Sequence, residues 1–187
     1  KQQEQQPKKN EIWEWTKSIG LALILVWFAK AFLFSAIIVD GVSMEPTLQS
    51  GDRMFVNKIK YKLMEPKQQE IIVFHSPDGT DFVKRIIGLP GDRIRYEKDI
   101  LYVNEQPVEE PYLQALKNDL PIEGLTEDFD LEDLLQVSQV PEGHLFVLGD
   151  NRRLSRDSRS IGFVPIEEVV GTASFTFWPL ANIGLKK

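Results

Sequence analysis

Apolar residues fall into one long block near the start of the chain and then into a series of short runs. From Ser18 to Val39 a single charged residue, Lys30, interrupts the block. That length suits one bilayer crossing, which takes about 20 residues. Trp13, Trp15 and Trp27 resemble interfacial anchors near its ends, and Lys8, Lys9 and Lys17 lie on its N-terminal side. The positive-inside tendency then puts the N-terminus in the cytoplasm and everything after Val39 outside. The expectation is a basic cytoplasmic tail over 1–11, a transmembrane anchor over 12–34 and an extracytoplasmic domain over 35–187. If the helix runs only from Ile12 to about Ala29, Lys30 can snorkel to the outer interface and Phe32 to Val39 becomes a strand or an interfacial segment. A cleaved secretory signal also has a basic start and an apolar core, but this block is longer than such a core. A helix buried in a soluble domain is disfavoured, because the Gln- and Lys-rich tail offers nothing to cover it.

Beyond Ser43 the pattern changes to β-like runs separated by Gly, Pro and Asp turns: 52–58, 71–74, 82–89, 92–96, 100–103, 144–148 and 172–178. No stretch of helical period exceeds a turn or two. These runs predict a mainly β, antiparallel, barrel-like domain. Residues 106–139 break the rhythm, being loop-rich and acidic, with Lys117 nearly alone as a base. They read as an insertion or subdomain with a solvated charged face, in which Leu131, Leu134 and Leu135 could form one short amphipathic helix.

Composition removes several kinds of chemistry. The formal net charge is −6 and no basic face stands out, so nucleic acid is not an expected partner. There is no cysteine, hence neither disulfide nor thiol chemistry. His75 and His144 are the only histidines. They lack metal-ligand spacing, and read as a strand-end residue and a turn residue. No metal or cofactor is expected, and a Ser-His triad would have to recruit one of these two.

Ser43 lies in Asp40-Gly41-Val42-Ser43-Met44-Glu45-Pro46-Thr47-Leu48, a run that begins where the apolar block ends. Glycine before it and Pro-Thr after it place it on a tight exposed turn, as a loop tip or a nucleophile. A serine nucleophile needs a base. With histidine out of position, lysine remains, and a lysine base must be desolvated to be neutral. Lys84, in Phe82-Val83-Lys84-Arg85-Ile86-Ile87-Gly88, shares a strand face with Phe82 and Ile86 if side chains alternate. The plainer alternative is an edge-strand lysine that keeps its charge in water. A third run, Gly149 to Gly162, is dense in arginines and short polar side chains and can knit itself rigid. In it, Asp157 would pair Arg159 or Arg85, and Ser155 would orient the lysine amine.

Together these runs resemble the type I signal peptidases, the membrane-anchored Ser/Lys proteases that remove signal peptides from exported proteins. Ser43-Met44-Glu45-Pro46-Thr47-Leu48 resembles the nucleophile box, and Gly51-Asp52-Arg53 with Val56 the next strand. Lys84 to Asp92 resembles the general-base box. Gly149-Asp150-Asn151-Arg152 with Ser155, Asp157, Ser158, Arg159 and Gly162 resembles the last box. The resemblance implies that Ser43 attacks the scissile carbonyl, that neutral Lys84 accepts its proton, and that the Ser43 N–H contributes to the oxyanion hole. It implies cleavage of preproteins after Ala-x-Ala by a monomer resting on lipid. Gly41 stands where some members carry a second, hydroxyl oxyanion donor. The Asp40-Gly41 pair and single anchor look more like the shorter Gram-positive enzymes. Ile37, Val39, Met44, Ile86 and Phe82 are candidates to line the pockets. Phe32, Leu33 and Phe34 with Phe175, Phe177 and Trp178 could rest on the bilayer, although core packing would explain the last three equally well. A self-cleaving repressor protease, a catalytically silent membrane-tethered binding module and an unrelated surface β-domain stand as alternatives.

Overall fold

Glu11 to Phe32 form one helix, α1, and strand β1 begins at Phe34 and runs to Ile38. The computed structural model of the chain describes residues 11–32, 34–119 and 124–186, and within α1 the side chains from Trp13 to Trp27. Those side chains include Ile19, Leu21, Leu23, Ile24, Leu25, Val26 and Trp27, all exposed, so no face of this part of α1 is covered by the rest of the chain. Among the described residues no helix is long and apolar enough to cross a membrane. The expected limit of 12–34 overruns the helix, because Phe34 already pairs with Asn57 in a β ladder. The basic tail, apart from Glu11, and the side chains of Lys30, Phe32, Leu33 and Phe34 lie outside the described residues.

The remaining elements follow in order. They are β2 (Arg53–Asn57), α2 (Lys60–Leu63), β3 (Ile71–His75), β4 (Asp81–Gly88), β5 (Ile94–Glu97), β6 (Ile100–Val103), β7 (Gln106–Val108) and α3 (Gln114–Asp119). After these come β8 (Phe129–Asp130), α4 (Leu131–Leu135), β9 (His144–Leu148), α5 (Ser158–Ile161), β10 (Val164–Pro165), β11 (Val169–Trp178) and β12 (Gly184–Leu185). One eight-stranded sheet has the order β1-β2-β11-β3-β4-β9-β10, with β12 beside β11, and a four-stranded sheet has the order β7-β6-β5-β8. Every pairing is antiparallel. The expected barrel does not close. Its end strands β1 and β10 do not meet, and β5 and β6 leave to build the second sheet.

Two tight hairpins make that second sheet. Lys98 and Asp99, then Asn104 and Glu105, all have positive φ, the geometry of two-residue hairpin loops whose twist matches the flanking strands. The acidic segment 106–139 does not stand apart, since β7 and β8 within it pair with β6 and β5 before it. Leu131, Leu134 and Leu135 do sit on one short helix, α4, capped by the Asp130 carboxylate, which accepts from the Asp133 N–H at 2.7 Å. They pack against a cluster that includes Ile87, Ile94, Tyr96 and Phe146, joining the two sheets.

Two buried ion pairs reinforce that junction. Arg152, 2% exposed, donates from Nη2 to Glu110 Oε1 at 2.5 Å and from Nη1 to the Tyr96 hydroxyl. The Tyr96 and Tyr112 hydroxyls donate to the same carboxylate, and burial keeps both phenols protonated far above their usual range. Arg85, 0% exposed, makes two bonds to Asp150, at 2.8 and 2.6 Å, with its guanidinium 3.7 Å from the Tyr112 ring centre. Glu110→Ala strands a buried arginine without its counter-charge. It is expected to cost roughly 3–5 kcal/mol of stability, read as a lower denaturant midpoint at unchanged m value.

Candidate active site

The loop between β1 and β2 is pinned at both ends. The Val39 N–H donates to the Asp52 carbonyl and the Gly51 N–H to the Val39 carbonyl, each at 2.8 Å. Between these pins the chain makes a turn closed by the Glu45 N–H on the Val42 carbonyl at 3.1 Å. Met44 and Leu48, one helical turn apart, plunge into a core cluster with Val39, Met54, Val56, Ile71, Val73 and Ala173. Anchoring these two apolar neighbours leaves Ser43 half-buried and facing outward. Gly41, with φ of +97°, takes a backbone conformation that favours glycine and gives its N–H to Ser50 Oγ at 3.3 Å.

Lys84 reaches this serine from β4. Its Nζ lies 2.7 Å from Ser43 Oγ and 3.1 Å from the Val83 carbonyl, with the Phe82 ring centre 5.1 Å away. Lys84 is 4% exposed. Burial lowers its pKa to about 8, although the Asp157 and Asp150 carboxylates pull it back up. At that pKa a useful fraction of the amine is neutral at physiological pH, and its lone pair can receive the Ser43 proton. Phe82 and Ile86 pack in one apolar cluster, as expected for side chains on a shared strand face.

The loop after β9 closes over the back of the serine. The Asn151 N–H donates to the Ser43 carbonyl at 3.0 Å, and Asn151 Nδ2 donates to the Val42 carbonyl at 3.2 Å. Gly149 is needed for this approach, because a Cβ there would collide with the Ser43 carbonyl oxygen and the Ser155 hydroxyl. Asp157, fully buried, accepts from the Gly149 N–H at 3.0 Å, caps α5 and accepts from Arg159 Nε and Nη2 at 2.9 Å each. Of the two partners expected for Asp157, Arg159 is the one that pairs with it, and Arg85 goes to Asp150 instead.

Ser155 departs from expectation. The Lys84 amine is engaged by Ser43 and the Val83 carbonyl, and Ser155 Oγ is buried without a hydrogen-bond partner among the described residues. It packs against Gly149 instead. His75 ends β3 and bonds Asp81 at 2.7 Å, while His144 opens β9 with Nδ1 at 2.9 Å from the Glu142 carbonyl. Neither lines the site, and among the described residues no group of three or more His, Cys, Asp or Glu could hold a metal ion.

A groove of about 530 Å³ runs past Ser43 and Lys84. Ile37, Val39, Met44 and Phe82 border it as expected, and Ile86 does not, being wholly in the core. Val73 and Val83 also line it, as do Leu154 and Arg156, which sequence reasoning missed. Arg156 is held across to Asp78 at 2.9 Å. Asn151 belongs to the last box, but its sequence context gives it no role, and Glu110 and Tyr112 carry no signal because they sit in an acidic, loop-like stretch.

A model of the family described as "Signal peptidase, peptidase S26" matches residues 12–178. The chain is 47% identical over 182 residues to a signal peptidase I from Bacillus caldolyticus, covering 97% of this chain and 98% of that protein. It is 38% identical over 178 residues to signal peptidase IB from Staphylococcus aureus strain COL, covering 93% of each. A crystal structure of a signal peptidase I from Enterococcus faecalis V583 superposes with a TM-score of 0.56 at 45% identity, covering 58% of this chain and 96% of that one. Matched by sequence from the helix through β11, and by shape to a solved signal peptidase I, the chain belongs to the signal peptidases of peptidase family S26.

Proposed function

We propose that Ser43 and Lys84 are the nucleophile and the general base with which this serine endopeptidase removes signal peptides. The observation that carries it is a buried lysine amine 2.7 Å from a serine hydroxyl on the wall of a groove. Ser43 Oγ bonds to the scissile carbonyl carbon as its proton passes to Nζ. The carbon–nitrogen bond then breaks, and the Lys84 ammonium returns that proton to the leaving amine. A water attacks the resulting ester, Lys84 takes the water's proton, and Ser43 Oγ recovers it as the acid leaves. The Ser43 N–H, which meets no acceptor among the described residues, is free to bind the oxyanion. Gly41 borders the groove but has no hydroxyl to add a second donor.

The preprotein segment before the cut lies in the groove. Apolar walls with little depth suit alanine one and three residues before the cleaved bond, and larger side chains would meet Met44, Val83 or Phe82. One copy of the chain supplies Ser43, Lys84 and the groove, so the enzyme acts as a monomer. Asp157, Arg159, Arg85 and Ser155 serve by holding the loop rigid around the two reacting groups.

The protein is a single-pass membrane enzyme with its N-terminus in the cytoplasm and its β-domain outside. Support comes from the uncovered apolar side chains of α1 and from an exposed apolar face elsewhere. On that face Phe55 stacks on Phe177 with ring centres 4.4 Å apart, and Phe175, Trp178, Leu180, Ile183 and Leu185 are exposed. It is the kind of patch that rests on lipid, and most of the aromatic stripe lies on it, not in the core.

Cleavage of a preprotein bearing Ala-x-Ala, with the product N-terminus sequenced, tests the reading. The parent is expected to cut after the second alanine, and Ser43→Ala and Lys84→Met to lose at least about 10³-fold in kcat. Cutting by either variant at the parental rate would reject the assignment. The parental kcat/KM is expected to rise with pH, to be half-maximal near pH 8, where half of Lys84 is neutral, and to level off above it. Because folding depresses this pKa, the cost of burying the ammonium is fully present below about pH 8 and fades as pH rises towards 10.5. Lys84→Met should therefore be more stable than the parent at pH 7, and that advantage should shrink above pH 8 in urea titrations. After alkaline carbonate washing of membranes the full chain is expected in the pellet; release into the supernatant would reject the anchor.

A further inference from the structure

The proposed oxyanion donor, the Ser43 N–H, belongs to the peptide plane that joins Val42 to Ser43. In a trans peptide the C=O and N–H lie on opposite sides of one rigid plane, so whatever holds the carbonyl also aims the N–H. The Val42 carbonyl accepts two hydrogen bonds, from the Glu45 N–H within the same turn at 3.1 Å and from Asn151 Nδ2 at 3.2 Å. One residue on, the Ser43 carbonyl accepts from the Asn151 N–H at 3.0 Å. A single residue from the loop after β9 thus grips the carbonyls on both sides of the Ser43 α-carbon.

Asn151 is itself held from both sides. Asp150 before it is locked to Arg85, and Arg152 after it to Glu110 and to the Gly149 carbonyl at 3.0 Å. The Leu154 N–H closes on the Asn151 carbonyl at 3.1 Å. Asn151 is only half-buried and belongs to none of the apolar clusters, so removing its side chain takes nothing from the core.

We infer that Asn151 is a positioning residue for the oxyanion hole. Its side-chain amide fixes the Val42–Ser43 peptide plane, and with it the direction of the Ser43 N–H. This rests on the Ser43–Lys84 reading above. It also accounts for a hole that lacks a hydroxyl donor at Gly41: the donor that remains is held by two bonds on its own peptide and one on the next.

The test compares full-length parent, Asn151→Ala, Asn151→Asp and Ser43→Ala in detergent. Three measurements are made: cleavage of an Ala-x-Ala preprotein, inhibition by a peptide aldehyde, and inhibition by a reduced-amide analogue of the same peptide. The aldehyde forms a tetrahedral oxyanion on Ser43, whereas the reduced amide has no scissile carbonyl. For Asn151→Ala, kcat should fall about 10- to 100-fold, less than the loss on deleting a donor outright. Aldehyde affinity should fall in proportion to kcat/KM, with KM, reduced-amide affinity, melting temperature and the pH limb near 8 as in the parent. Asn151→Asp, which keeps the shape but cannot donate to the Val42 carbonyl, should be no better than the alanine variant. A parental kcat in Asn151→Ala overturns the inference. So does an equal weakening of aldehyde and reduced amide, or a fall in melting temperature that matches the loss of rate, because each marks a merely structural residue. Failure of the parent to cleave, or cleavage by Ser43→Ala, would instead remove the underlying assignment.

Discussion

An ammonium group is costly to take out of water, and the fold is arranged around doing so at one place. Lys84 sits mid-strand in β4, with Phe82 beneath its amine and the Ser43 loop above it. The charged form is destabilised there while the neutral amine keeps partners in Ser43 and the Val83 carbonyl. Asp150 and Asp157, close enough to favour the ammonium, would undo this if they were free. Each is instead matched to its own arginine, Arg85 and Arg159. The arginines beside these aspartates thus bear on the lysine: carboxylates that shape the loop and are paired locally favour the Lys84 ammonium less than free ones would.

The same pairs explain why the second sheet exists where it does. A loop carrying Gly149, Asp150, Asn151 and Arg152 against the nucleophile turn has few apolar side chains with which to anchor itself. Its rigidity comes from buried polar contacts, and these need partners already fixed in space. β5 brings Tyr96 on a sheet packed against Ile87, Phe146 and Leu148, and the segment that follows β7 of that sheet brings Glu110 and Tyr112. The hydrophobic junction positions the carboxylate, the carboxylate holds Arg152, and Arg152 holds the carbonyl of Gly149.

Much of this was legible in the chain. Ser43 was marked by its turn and Lys84 by an apolar strand pattern that a surface lysine would not need. The strands at 71–74, 100–103 and 144–148 are visible because short apolar runs end at clear turns. What escaped detection was pairing. Alternation says which face a residue takes but not which strand lies beside it, so β5 and β6 were read into a barrel that they in fact leave. Ser155, a short hydroxyl in the right run, suggests itself as the partner of the lysine amine; the backbone carbonyl of Val83, invisible to any side-chain reading, occupies that amine instead. Arg85 and Arg159 could not be told apart as partners of Asp157 until the β4–β9 register placed Arg85 opposite Leu148, beside Asp150.

α1 ends at Phe32 and β1 begins at Phe34, and β1 is the strand whose Ile37 and Ile38 border the groove. A single residue separates the end of the helix from the strand that borders the groove. The reach from the end of α1 to the groove is one strand of five residues, about 17 Å if fully extended. If α1 lies in the bilayer, as proposed above, β1 would work as a depth gauge: it would set the height above the lipid at which a peptide bond can be reached, so that a substrate would be measured from the membrane surface before its side chains are read.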